Sequence, residues 1–431
     1  MSRVVYTLVL YLLLPVVLFH LIRRGFRNHS YWHRWGERFG YVPPLATDKL
    51  IWIHAVSVGE ARAAVPLVKR LFDRYPDYEI LITTMTPTGS ATVESLLGDR
   101  VRHCYVPYDY PGAVRRFLDR VRPTLALIME TELWPNLFHA CRERGIPLMV
   151  ANVRVSERSA RRYSWFAGLT RATLNQPTVF GVQNRTDADR LVSLGADPAR
   201  VHVTGSIKFE LALPASLLES ADVLRREWGA DRPVWLAAST HDGEDEPVLT
   251  VHADLRRQAR FANALLVLVP RHPERFASVT KLSRKLGFNT AQRTASPRAL
   301  PAEVEVLVGD TMGELQLFFA AADCAFIGGS LVPTGGHNLL EACAVGKPAV
   351  FGPHMFNFAE ITQLALERGA GVQVHDGAGL LAAVSDFLGN ANRRDKAGEA
   401  GRRLVEENRG ALEHSLAVID PVLVATHSDK K

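Results

Sequence analysis

The chain has 431 residues, 47% of them apolar and 22% charged, with a formal net charge of +6. Those values exclude a disordered polymer, and the length argues against a single ordinary core, so two domains are the expectation. The positive excess suits an anionic substrate, an anionic membrane surface or nucleic acid, and by itself separates none of them. Cys104, Cys141, Cys324 and Cys343 are widely spaced, with no CxxC or Cys/His ligand pattern. They read as small buried apolar residues and point to neither a zinc site nor a disulfide framework.

From the N-terminus, Val4–Ile22 is an apolar run without charge. As a helix it would extend about 28 Å, just short of a ~30 Å hydrocarbon core. Arg23, Arg24 and Arg27 follow it, and only Arg3 precedes it. The positive-inside rule then puts the chain after residue 23 in the cytoplasm. A cleaved signal peptide would carry its basic residues before the run and a small-x-small site after it. Residues 1–24 are therefore expected to be an uncleaved membrane anchor, with Pro15 leaving open a kinked span or an interfacial helix. Tyr31, Trp32 and Trp35, interleaved with basic residues, fit either headgroup level or packing on the first domain.

After residue 49, short apolar runs alternate with amphipathic stretches. Ile51–His54, Ile80–Thr83, Leu125–Met129, Leu148–Ala151 and Val179–Val182 read as buried strands. Ala61–Arg74, Ala113–Arg120 and Asp187–Leu194 read as helices between them. The rhythm repeats with strands at Val234–Ala238, Ala264–Val269, Val304–Val308, Cys324–Ile327 and Ala349–Phe351, and with helices near Gly313–Ala322 and Asn338–Ala344. This is the βαβ signature of α/β domains built on parallel sheets. The expected division is a first Rossmann-like domain at 25–210, a linker at 211–225 and a second at 226–431. Ala391–Val424 reads as mostly helical and able to return toward the first domain, and His427–Lys431 as a frayed tail. The GxGxxG, Walker A, GxSxG and HExxH patterns do not occur, which lowers dehydrogenase, P-loop, α/β-hydrolase and zincin readings.

Several loops at strand ends carry chemistry-bearing residues. Glu60 opens a helix after the first strand, in His54-Ala55-Val56-Ser57-Val58-Gly59-Glu60. Locally it fits a carboxylate complementing the helix dipole at least as well as a base. Glu130 and Glu132 emerge from Leu125–Met129 just before a helix, more carboxylates than capping needs. Lys208 closes the first domain, either solvated or placed to offset developing negative charge. In the second domain, Pro270-Arg271-His272-Pro273 is a cationic loop suited to phosphate or carboxylate, or simply a helix start. Gly335-Gly336-His337-Asn338 leads to a short helix containing Glu341, a loop that lets backbone N–H groups approach a phosphate.

Taken together, HAVSVGE, TTMTPTGS, METELWPN, NVRVSERS, TGSIKFE, ASTHDGE, RHPERF, DTMGEL, FIGGSL, GGHNLLEA and GPHMFNF resemble, in order and essentially end to end, the 3-deoxy-D-manno-octulosonic acid (Kdo) transferases of lipopolysaccharide assembly. The resemblance implies a GT-B type fold, with an acceptor-binding N-terminal domain and a CMP-Kdo-binding C-terminal domain. It implies an inverting, metal-independent transfer from CMP-Kdo to lipid IVA or a related lipid A precursor, at the cytoplasmic face of the inner membrane. Glu60 matches the base, and Glu130 and Lys208 match positions that stabilise the transition state. Pro270, Arg271, Thr311, Met312, Gly313, Gly336, His337, Asn338 and Glu341 fall on the segments that hold CMP. No metal and no nucleic acid partner are expected; membrane lipid is. The alternative is another GT-B enzyme using a different nucleotide sugar.

Overall fold

Leu50, Ile51, Trp52 and Ile53 are all fully buried, which a strand allows only when both of its faces are covered. The structure, a computed structural model, describes residues 1–27, 29–211, 213–295 and 299–428. It contains two compact units, Met1–Glu210 with Arg409–Lys431, and Leu211–Asn408.

In the first unit, β1 (Leu50–His54), β2 (Glu79–Thr84), β3 (Arg102–Tyr105), β4 (Leu125–Met129), β5 (Leu148–Val153), β6 (Val179–Val182) and β7 (Val201–Val203) form one sheet in the order β3-β2-β1-β4-β5-β6-β7. Each strand runs parallel to its neighbours. The period of two sends Leu50 and Trp52 to a core with Phe117, Phe138 and Phe180, and Ile51 and Ile53 to a second core with Leu67, Val68 and Leu127. The order reverses between β1 and β4, the switch point where such sheets bind ligands.

The second unit repeats the plan. Its strands are β8 (Val234–Thr240), β9 (Leu265–Pro270), β10 (Thr290–Gln292), β11 (Val306–Val308), β12 (Cys324–Ile327), β13 (Ala349–Phe351) and β14 (Gly371–Gln373), in the order β10-β11-β9-β8-β12-β13-β14. Here the switch point lies between β8 and β12.

Three expectations need correction. The terminal stretch is two helices, Ala391–Glu407 and Ala411–Ser428, parted at Gly410, whose φ of 94° suits glycine. The second of these belongs to the first unit and not to the second. Leu412, Leu416, Ile419 and Leu423 pack into the Leu67–Val68 core, Arg70 and Arg74 pair with Glu413 and Asp420, and Glu210 accepts from the Gly410 (2.8 Å) and Leu412 (3.3 Å) amides. The expected linker at 211–225 is shorter, because Leu217–Trp228 is a helix whose Trp228 packs on Phe318 with centroids 6.1 Å apart. The helix expected at Asn338–Ala344 is only Leu340–Ala344. Of the expected tail, Ser428 still closes the last helix; residues 429–431, like Ala212 of the linker, lie outside the described residues.

Candidate functional site

In the first unit, the chemistry-bearing side chains gather after β1 and β4, on either side of the switch point. Ser57 caps the helix Val58–Arg74, accepting from the Glu60 amide at 3.2 Å. The Ser57 hydroxyl donates to Glu60 Oε1 at 2.9 Å, and the Val56 amide donates to Oε2 at 2.7 Å. This is a variant of the capping box, with Glu60 accepting from the residue before the N-cap, so the helix end itself fixes the carboxylate. Glu60 is only 7% exposed. Burial pushes its carboxyl up to about 7; the Val56 amide opposes this, the nearby Glu130 and Glu132 charges add to it, and Ser57 opposes it. A group balanced near neutrality can take a proton and give it up again.

Glu130 leaves β4 with a left-handed backbone, φ 58°, unusual for a residue with a side chain. Its amide still donates to the Ala151 carbonyl at 2.8 Å, so pairing with β5 holds the backbone while the turn redirects the side chain. Lys208 lies in a one-turn helix between buried Ile207 and Phe209, with its Nζ 3.9 Å from Glu130 Oε1. Asn152, φ 58° and buried, accepts from the Ile207 amide at 3.2 Å and so fixes the segment carrying Lys208. Glu132 is also raised by burial, against the Trp134 indole that donates to it at 3.0 Å. His54, by contrast, is a core group. Burial lowers it to about 4, its Nδ1 pairs with Thr83 Oγ1 at 2.9 Å, and its ring meets Trp134 edge-on.

In the second unit, the corresponding loops follow β8, β9 and β12. Glu244 is fully buried, and its carboxylate accepts from the amides of His241 (2.9 Å), Gly329 (2.6 Å), Ser330 (3.0 Å) and Leu331 (3.0 Å). One side chain thus joins the turn after β8 to the turn after β12. Gly328 is required there, since a Cβ would collide with the Ser239 carbonyl. Gly336, φ 72°, donates to the Gly329 carbonyl at 2.7 Å, and a Cβ on it would strike Met355. His337 Nε2 lies 2.8 Å from His241 Nε2 with the rings stacked, and His272 meets His241 edge-on. Burial lowers the His241 imidazole. Glu341, in the first turn of Leu340–Ala344, is pushed by burial to about 7, with Arg271 opposing.

The structure therefore brings Glu60, Glu130 and Lys208 into one electrostatic group, and sets Arg271, His337 and Glu341 about the turns after β9 and β12. Pro270 ends β9, and Asn338 accepts from the Leu340 amide at 3.2 Å. Thr311 is occupied locally, donating to Glu314 at 2.5 Å; Met312 is exposed, and Gly313, φ 86°, has open space where a Cβ would stand. The helix of five residues, Leu340–Ala344, supplies less dipole than the longer one expected. The assignment of site residues from sequence omitted Ser57, Asn152, His241 and Glu244. The Ser57-x-x-Glu60 spacing was a readable signal of the capping box; nothing in the sequence marked the left-handed Asn152 or the four-amide role of Glu244.

The family described as 3-deoxy-D-manno-octulosonic-acid transferase (kdotransferase) matches residues 33–211, and glycosyl transferases group 1 matches residues 248–404. A 3-deoxy-D-manno-octulosonic acid transferase of Haemophilus influenzae is 42% identical over 98% of this chain and 99% of its own length. One of Bordetella pertussis is 37% identical over 97% of this chain and 99% of its own. The solved structure of MurG from Acinetobacter baumannii superposes with a TM-score of 0.54 at 12% identity, covering 87% of this chain and 100% of that one. That likeness is one of fold, the GT-B type.

Proposed function

Because the chain belongs to the 3-deoxy-D-manno-octulosonic acid (Kdo) transferase family, and is thus a glycosyltransferase, we propose that it moves Kdo from CMP-Kdo to a lipid A precursor, lipid IVA or a close relative. Glu60 is the observation that carries the reading. A carboxyl raised to about 7, held on two donors and set beside Glu130 and Lys208, suits a base acting on a sugar hydroxyl.

Glu60 takes the acceptor hydroxyl's proton as the oxygen bonds to the anomeric carbon of Kdo. The bond from that carbon to the CMP phosphate breaks, and its electron pair leaves with CMP. Attack comes from the face opposite the leaving group, which inverts the centre. Lys208 offsets negative charge on the acceptor side, held by Glu130. Arg271, His337 and the amides of the Gly335–Gly336 turn take the anionic CMP, with Pro270, Thr311, Met312, Gly313 and Asn338 along its binding segments and Glu341 accepting from ribose hydroxyls. These groups offset the charge of the departing CMP without a metal ion. The helix Arg3–Arg27, long and apolar enough to cross a membrane by length and composition, keeps the enzyme beside its lipid acceptor at the cytoplasmic face of the inner membrane.

The test is mass spectrometry of the lipid after incubating the full-length protein with CMP-Kdo and lipid IVA. A Kdo adduct is expected; folded protein that yields none, or that works equally well with a UDP-sugar, refutes the proposal.

A further inference from the structure

Arg3–Arg27 is long enough to cross a bilayer, yet its N-terminal half is attached to the body of the first unit. Near its start, Arg3 Nη1 and Thr7 Oγ1 donate to Asn136 Oδ1 at 3.3 and 3.0 Å, and the Tyr110 hydroxyl donates to the Leu10 carbonyl at 3.1 Å. Tyr11 and Tyr110 bring their rings to 5.2 Å. Near its end, Leu21 and Gly25 are buried, and Gly25 lies under the Trp32 ring. Between the ends, the less exposed residues recur at Arg3, Thr7, Leu10, Leu14, Val17 and Leu21. That spacing of three and four residues is one continuous helical face, less exposed than the rest of the helix.

A spanning helix cannot keep these contacts. Its first turn would sit about 30 Å from its last, across the hydrocarbon, while Asn136 and Tyr110 belong to the folded body. The opposite face is fully apolar and exposed: Leu8, Leu12, Val16 and Phe19 are 58, 78, 60 and 67% exposed. The same surface continues past the start of the helix. A Cβ on Gly168 would lie 3.8 Å from the Met1 carbonyl, and just before it stand exposed Trp165 (71%) and Phe166 (48%). Exposed Arg158, Arg161 and Arg162 precede that pair, and exposed Arg23 and Arg24 lie toward the other end. Apolar residues flanked by arginines at both ends match the acyl boundary and anionic headgroups of a bilayer.

We propose that Arg3–Arg27 lies in the plane of one leaflet, with its Leu8–Leu12–Phe19 face in the acyl boundary and Trp165 and Phe166 entering the same leaflet. The enzyme is then held flat on the membrane, with no segment of this helix on the far side. The inference rests on the reading of Arg3–Arg27 as a membrane anchor, and the experiment separates the two.

Full-length Ser2→Cys and His29→Cys variants, expressed in bacteria, are treated with a membrane-impermeant maleimide in spheroplasts and in inverted vesicles. The native cysteines are buried, so labelling reports the added one. Both variants are expected to label from the same side. Labelling of Ser2→Cys from the side opposite His29→Cys overturns the in-plane helix but leaves the anchor standing. A protein that does not sediment with membranes, and instead forms a discrete dimer without lipid, overturns the anchor as well. Purified Trp165→Ser/Phe166→Ser protein is expected to bind phosphatidylglycerol-containing vesicles about tenfold more weakly. Unchanged binding refutes entry of this loop into the leaflet.

Discussion

Replacing Glu60 with glutamine separates its observed place at the helix end from the base role proposed for it. Glutamine keeps the shape and can accept from the Val56 amide while donating to Ser57 Oγ, so the helix cap survives. It cannot take a proton. Loss of a positioned base costs about 10²–10⁴-fold in kcat. In the wild type, a base near 7 should make kcat/KM fall about tenfold between pH 8 and pH 6, a dependence that Glu60→Gln should lose. Stability should move the other way. The folded value lies above the ordinary 4.5, so the Glu60 contribution is fully present below about 4.5 and is lost as pH rises through about 7. At pH 8 the charged carboxylate then costs the folded state about 3 kcal/mol at most, a cost that glutamine avoids. Glu60→Gln should therefore be far less active and more thermostable than wild type at pH 8, with the stability difference vanishing toward pH 4. The assay is initial rates of Kdo transfer by mass spectrometry across pH, with thermal unfolding of the same samples. Near-wild-type activity with an unchanged pH profile would falsify the base assignment; equal stability at pH 8 would refute its burial as the cause of the raised value.

Lys208→Met should lower kcat about 10–100-fold and move the pH–rate midpoint upward, because the Glu130 charge then acts on Glu60 unopposed; a pH series on the variant checks both. Glu244→Ala should destabilise the second unit by more than about 3 kcal/mol, since it strands the buried amides of Gly329 and Ser330 and the half-buried ones of His241 and Leu331, whereas Glu244→Gln should be milder; chemical denaturation compares them. A chain ending before Arg409 should fail to fold its first unit, because Leu412, Leu416, Ile419 and Leu423 each bury about 1.5–3 kcal/mol of apolar surface; the check is protease resistance. Transfer activity should persist in excess chelator, and a loss restored by Mg²⁺ would overturn the metal-independent reading.

Much of the fold was legible because the central strands are continuous apolar runs. Leu125–Met129, Val179–Val182, Cys324–Ile327 and Ala349–Phe351 stand where those runs placed them. The strands that escaped reading are β3, β7, β10 and β14, and these are the four edges of the two sheets. An edge strand covers little and can be short and half-polar, as Val201–Val203 and Thr290–Gln292 are, so its sequence carries no buried-strand signature. The site was legible in a different way. Ordered motifs pointed to Glu60 and Lys208, but their local sequence did not separate chemistry from capping or solvation. What the motifs could not carry was backbone conformation: the left-handed turns at Glu130, Asn152 and Ser239 redirect the chain at strand ends and have no sequence mark comparable to a glycine.

The helix Ala411–Ser428 sets an order on synthesis. Gly410 meets Glu210 across 200 residues of chain, and the core face of Leu67, Val68 and Leu71 stays open until that helix arrives. At ~5–20 residues per second, the ribosome needs about 10–40 s to make the intervening stretch. The second unit, continuous from Leu211 to Asn408, is complete before the first can close. The first unit thus emerges first and finishes last, while Arg3–Arg27 is available to a membrane from the outset. The proposed delivery to a lipid surface can therefore precede closure of the core beneath the helix that carries Glu60.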